Sequence, residues 1–272
     1  MCLLSEQLVA ERLPPRLLEA YHLLTPGARV ADIGCDHGLL SIALVGSGRA
    51  ESVYACDVSP QAIVKARSNA ERYLPEALRQ RLSYRQADGL SAFSRAGGGA
   101  SDAGEIACEI DEIALCGLGV PKLLTLLEAG GGASALGVDA LVIQPLAPAL
   151  PRMAQLRSLV HRTGWRISRE RFLYSNRMPY MTLRAERGAG TAASEPPSEP
   201  SSELSLLLGD SRQEHAHLAG YSAYVRSERD AIAAAAVGVR SARAMPWRQK
   251  AAAVRERERR AALLSEWLAG GR

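Results

Sequence analysis

The chain has few aromatic residues. Two Phe, three Trp and eight Tyr make up 5% of its 272 residues, so aliphatic side chains and abundant Ala must fill the core, which points to Ala-rich helices packed on a sheet. No apolar run approaches about 18 residues, so no transmembrane helix is expected. The first residues carry Glu6 and Glu11 where a signal peptide would have its apolar core. The five cysteines (Cys2, Cys35, Cys56, Cys108 and Cys116) are odd in number, with no C-x-x-C and no His or Cys grouping at metal-ligand spacing. A disulfide framework and a bound metal are therefore not expected, and reduced thiols suit a cytoplasmic location. Net charge is only +4, too small by itself to imply a nucleic-acid partner. From Leu204 onward, 12 Arg and Lys against 7 Asp and Glu leave a balance of +5. Such a tail suits a polyanion and equally suits a solvated helical face.

What is present is an alternation of strand and helix signals. Residues 3–24 read as helix with a break at Pro14-Pro15. Short apolar strands are expected over 29–33, 52–56, 82–85, 110–115 and 140–143, and helices over 38–45, 60–73, 121–129 and 151–163. Ser59 followed by Pro60 is a helix start, with Ser59 as N-cap. Two further strands, over 166–173 and 180–185, fit an antiparallel edge pair. This order predicts an α/β fold, a Rossmann-like doubly wound sheet over residues 1–187. Residues 94–109 are rich in Gly, Ala and Ser and read as a loop, and residues 188–203 have linker composition. Beyond the linker, 204–272 reads as a helical hairpin domain. Leu218, Tyr221, Val225, Ile232 and Val239 form one stripe, with Glu228 on the seam, and Val254, Ala261, Leu264 and Leu268 form the other.

Ligands in such sheets sit at the carboxyl ends of the strands. Candidate residues cluster there. After the first strand comes "DIGCDHG", Asp32 to Gly38, with Gly34 and Gly38 flanking Asp36 and His37. Asp57 ends the second strand, 23 residues beyond Gly34. Asp88-Gly89 follows the third, Gly117 and Gly119 follow the fourth, and Gln144-Pro145 follows the fifth. An acid at the position of Asp57 can accept two vicinal ribose hydroxyls, and Asp88 can accept an adenine amine. A strand-end Asp serves equally well as a cap for the next helix. The loop after the first strand separates the possible ligands. A pyrophosphate needs bare backbone N–H groups at a helix N-terminus, and Asp36 would repel it. S-adenosylmethionine has no phosphate, and its sulfonium and ammonium suit an acid. Asp36, or Asp32 through water, could face them.

These stretches together resemble the bacterial tRNA (adenine-N1)-methyltransferase family acting on adenine 22. The resemblance rests on "VADIGCDHG", "QADGL", "CGLG", "IQP" and the C-terminal helical hairpin, and spans about Leu13 to Leu268. It implies a class I methyltransferase fold with a coiled-coil-like C-terminal domain, S-adenosylmethionine as cofactor, and tRNA as substrate. In that family an aromatic residue usually follows "DHG", a Pro stands two positions later, and "GMGG" follows the fourth strand. Here Leu39, Ser41 and "GLGV" with Val120 stand instead. On this basis the cofactor-binding set is Asp32, Gly34, Gly38, Asp57, Asp88, Gly89, Gly117 and Gly119, and the catalytic candidates are Asp36, His37 and Gln144. Arg226, Arg240, Arg243 and Arg248 are candidates for tRNA phosphates. A monomer without metal or membrane is expected. Other readings are a class I methyltransferase with another RNA or a small-molecule substrate, a non-catalytic RNA-binding protein of the same fold, and, more distantly, a nicotinamide dehydrogenase.

Overall fold

A computed structural model describes residues 6–90, 110–128, 137–187, 202–218, 220–242 and 245–270. The expected loop at 94–109, the linker residues 188–201, Cys2, Cys108 and Arg243 lie outside them. Five strands pair in parallel: β1 (Arg29–Ile33), β2 (Ser52–Asp57), β3 (Leu82–Gln86), β4 (Glu112–Gly119) and β5 (Ala140–Leu146). β6 (Trp165–Ser175) and β7 (Met178–Arg187) close the sheet antiparallel, as the edge pair expected from sequence. The order is β3-β2-β1-β4-β5-β7-β6. The chain therefore reverses direction across the sheet between β1 and β4, and the carboxyl ends of those strands open a crevice.

Strand residues alternate between two apolar clusters, because successive side chains point to opposite faces. Val30, Val53, Ala114 and Val142 pack on one face, with α2 (Pro15–Leu23) and α3 (Leu39–Gly46). Ala31, Ile33, Leu115, Leu141 and Ile143 pack on the other, with α6 (Val120–Glu128) and α7 (Leu150–Arg162). Between β2 and β3 lie α4 (Pro60–Tyr73), whose first turn Ser59 caps by accepting the Ala62 N–H at 3.3 Å, and the short α5 (Glu76–Arg79). A short helix, α1 (Glu6–Arg12), precedes the Pro14-Pro15 break.

The C-terminal segment begins with α8 (Glu203–Leu208) and α9 (Arg212–His215) and ends with the hairpin of α10 (Tyr221–Ser241) and α11 (Trp247–Gly270). It shares the core of the sheet: Leu207, Leu208, Tyr221, Tyr224, Val225, Ile232 and Leu264 belong to the same buried cluster as Leu115 and Leu183. Its anchor is polar. Arg157 of α7, 2% exposed, donates to the Glu170 carboxylate of β6 at 2.8 Å and to the carbonyls of Leu206 and Leu207. The seam differs from the sequence expectation at two positions. Leu218 precedes the first turn of α10 and is exposed. Glu228 is no defect in the seam, because its carboxylate accepts the Leu150 N–H at 2.8 Å and so satisfies the start of α7.

Candidate active site

Four of the five backbone donors from Gly34 to Gly38 are spent on the protein. Gly34 and Cys35 donate N–H groups to the Cys56 carbonyl at 2.8 and 2.9 Å, and Gly38 donates to the Cys35 carbonyl at 2.8 Å. The Asp36 N–H, on a residue held at φ 50°, donates to Asp57 Oδ2 at 3.0 Å. Asp32, 2% exposed at the end of β1, accepts both the hydroxyl of Ser41, at 2.6 Å, and a backbone hydrogen bond from Ser41 in the first turn of α3. A carboxylate therefore already occupies the positive end of the helix, where a phosphate would have to sit. Gly38 serves packing: its φ is 70°, and a Cβ there would lie 2.9 Å from the Ala66 Cβ of α4.

A cleft of about 320 Å³ opens beside this loop, at the β1/β4 crevice. Asp32, Asp36 and Asp57 line it from one side, and Arg16, Cys116, Gly117 and Leu118 from the other. Burial raises the Asp32 carboxyl to a pKa of about 6, with the Ser41 hydrogen bonds opposing and the charge of Asp57 adding to the rise. Asp57 accepts the Ser59 N–H through Oδ1 at 2.9 Å and the Asp36 N–H through Oδ2. Each of its oxygens keeps a second lone pair for another donor. Asp36 and His37 stand at the mouth, largely exposed, with Oδ1 and Nε2 3.5 Å apart.

The family profile described as a methyltransferase domain matches residues 13–183. The chain belongs to the methyltransferase domain family. It is 30% identical over 152 residues to a ribosomal protein L11 methyltransferase of Prochlorococcus marinus, covering 56% of this chain but only 45% of that protein, so the chain spans less than half of that relative's length. It is 26% identical over 182 residues to the tRNA (adenine(22)-N(1))-methyltransferase of Bacillus subtilis, covering 67% of this chain and 68% of that protein. Among solved structures, the fold matches TrmK of M. capricolum in complex with S-adenosyl-homocysteine, with a TM-score of 0.71 at 19% identity, over 96% of this chain and 99% of that one.

Within this methyltransferase domain the structure brings together only part of the set read from the sequence. Asp32, Gly34, Asp36, His37, Asp57 and Gly117 line the cleft. Gly38, Asp88, Gly89 and Gly119 do not, and Asp88 instead pairs with Lys122 at 2.6 Å. Gln144, the third catalytic candidate, does not line the cleft. It is 1% exposed, its amide nitrogen donates to the Arg16 carbonyl and Thr182 Oγ1, and its amide oxygen accepts from Arg16 Nη1. No hydrogen is left over to meet a substrate, and its work is to hold Arg16. Val120, where the family pattern has Gly, is 1% exposed at the start of α6 and packs into the core.

Arg16 is the residue that sequence reasoning missed. Its backbone follows the Pro14-Pro15 break, and its guanidinium crosses to β5 at a separation of 128 residues. Thr25 and Arg184 of β7 both bond the Glu112 carboxylate of β4, at 2.6 and 2.8 Å, and so fix the end of α2 against the sheet. The described tail arginines, Arg226, Arg240 and Arg248, do not form one cluster. Arg226 and Arg240 are about 21 Å apart along α10, Arg240 pairs with Glu258, and Arg248 lies over the Trp247 ring. Among the described residues no group of three or more His, Cys, Asp or Glu could hold a metal, and no helix is long and apolar enough to cross a membrane.

Proposed function

We propose that the chain is an S-adenosylmethionine-dependent methyltransferase that modifies N1 of an adenine in tRNA, at position 22, in the cytoplasm. One observation carries the cofactor reading: the Ser41 N–H at the helix end bonds Asp32, and the N–H groups of Gly34, Cys35, Asp36 and Gly38 bond the end of β2 or the loop itself, so few are left for a pyrophosphate. The donor set fits the cofactor. Asp57 has two spare acceptor sites suited to a ribose diol, Asp32 and Asp36 oppose positive charge, and Arg16 offers a guanidinium to a carboxylate. When bound, S-adenosylmethionine supplies an electrophilic methyl group on a sulfonium. The adenine N1 lone pair needs no base to attack, so positioning supplies most of the rate. Asp36 and His37, at the mouth, hold the adenine edge and take up a proton as the product relaxes.

The substrate reading is supported by the similarity to the B. subtilis tRNA enzyme and by the hairpin. Between Ala231 and Arg255 that hairpin carries five basic residues and no acid, which suits phosphate contacts. In this division of labour residues 1–187 transfer the methyl group and residues 204–272 help to hold the RNA, as a monomer. The test is methylation of bulk tRNA with labelled donor followed by nucleoside digestion. The expected product is 1-methyladenosine. In a parallel assay with ribosomal protein as acceptor, label there and none in tRNA would favour a protein substrate, as in the L11 relatives.

A further inference from the structure

A second cavity, of about 330 Å³, lies where the β6–β7 hairpin meets α10. Its walls include Ala147, Tyr174, Arg177, Met178, Tyr224 and Glu228. β7 pairs antiparallel with Ala140 to Ile143, the amino half of β5, so the hairpin tip that precedes it lies toward the carboxyl ends of the parallel strands, where the cleft opens. Across the sheet, three strand spacings, about 14 Å, separate β7 from β1.

Several features set this cavity apart from an ordinary surface dent. Tyr174 is 44% exposed, a large ring held in water on the same face of the hairpin as Pro179, its partner across the ladder. Ser175 pairs with Met178 across a two-residue turn, and Asn176 and Arg177 sit at φ 51° and 62°. That turn favours Gly at its second central position, yet Arg stands there. Ala147, on the opposite wall, is held at φ 47°. Two strained non-glycine residues facing one cavity fit a binding role better than a folding one. The Tyr174 ring is also preset. α10 starts over it at Gly220, φ 80°, where a Cβ would come within 2.6 Å of the ring. Glu228 is committed on one oxygen to the Leu150 N–H, which leaves the other as an acceptor on the wall.

We propose that this cavity is a nucleotide subsite for the RNA substrate: Tyr174 stacks a base that flanks the target adenine, and Arg177 meets its phosphate. The proposal rests on the tRNA reading above. N1 lies on the pairing edge of adenine, so the target must leave its helix, and its neighbour then loses a stacking partner. An exposed ring beside a cation replaces that partner for any base. Glu228 suits an exocyclic amine.

The full chain is titrated against a fluorescent, unmodified tRNA transcript. Tyr174→Ala is expected to weaken binding about tenfold, and Tyr174→Phe to restore it to within about twofold of the parent. Arg177→Gly keeps the turn and relieves its backbone, so it is expected to melt no lower than the parent. The same variant weakens tRNA binding and reduces the salt slope by about one. S-adenosylmethionine affinity stays unchanged in all three. Binding by Tyr174→Ala and Arg177→Gly within twofold of the parent overturns the subsite, as does a parent protein that binds no tRNA. If binding weakens as expected but the parent forms no 1-methyladenosine, the subsite stands and the activity assigned above fails. If the parent forms 1-methyladenosine and both variants keep its KM, the activity stands and the subsite fails.

Discussion

Asp32 in the cleft and Glu170 at the root of the C-terminal helices are both buried carboxylates, but their surroundings differ. Glu170 faces the guanidinium of Arg157 through two hydrogen bonds, at 2.8 and 3.3 Å. Asp32 is given only a serine hydroxyl and a helix N–H, and burial lifts its pKa to about 6. The root neutralises its charge with protein. The cleft leaves its charge short of a partner, in a wall that holds two more acids. A structural ion pair is closed on itself, whereas an under-compensated acid beside a cavity is poised for a positively charged ligand.

The largest effect is expected at the root. Arg157→Ala strands Glu170 without its cation and frees two carbonyls, and should cost about 3–5 kcal/mol of unfolding free energy in urea. A loss under about 1 kcal/mol would mean that the root is not the anchor. In the cleft, Asp57→Ala removes two hydrogen bonds to a charged acceptor, worth about 1.5–3 kcal/mol each. Calorimetry should show S-adenosylmethionine affinity falling at least about 100-fold, and unchanged affinity would sink the ribose assignment.

Asp32→Asn sharpens the comparison through pH. The folded-state pKa is raised from 3.8 to about 6, so the folded chain holds a proton that the unfolded chain has released. Stability from this group is therefore lost as pH rises from about 4 to 6, by about 3 kcal/mol in order of magnitude. The Asn variant should flatten that part of the stability profile. A profile that keeps the wild-type slope would assign the titration to other groups. The smallest effect is expected at Lys122→Ala. Its pair with Asp88 is exposed on both sides, so melting should change by less than about 1 kcal/mol. A larger loss would show that this surface pair behaves like the root.

Much of the fold was legible because it is written in local chemistry. The strand–loop–helix around "DIGCDHG", the Ser59-Pro60 helix start and the β6–β7 edge pair are each set by neighbours in sequence. β4 runs further than expected, through "CGLG", because a register shift between Cys116 and Leu118 absorbs Gly117 and lets pairing with β5 resume. What sequence could not reveal depends on residues far apart. Arg157 and Glu170 look like two surface charges, and only the packing of α7, β6 and α8 buries them. Arg16 and Gln144 are each ordinary until folding joins them. Gln144 then becomes a strut, and the cation it supports enters the cleft. In the sequence Ser41 stands out only as a departure from a family pattern, yet its hydroxyl and backbone bind Asp32 and so help to shut phosphate out.

The cleft is tested most directly by calorimetric titration of the full chain at pH 7 with S-adenosylmethionine and, separately, with NAD. Saturable one-site binding of S-adenosylmethionine, with no heat of binding from NAD, is the expected result. Binding of NAD, or of neither ligand, would contradict the reading of Asp32, Asp36 and Asp57 as a site for a cationic, phosphate-free cofactor.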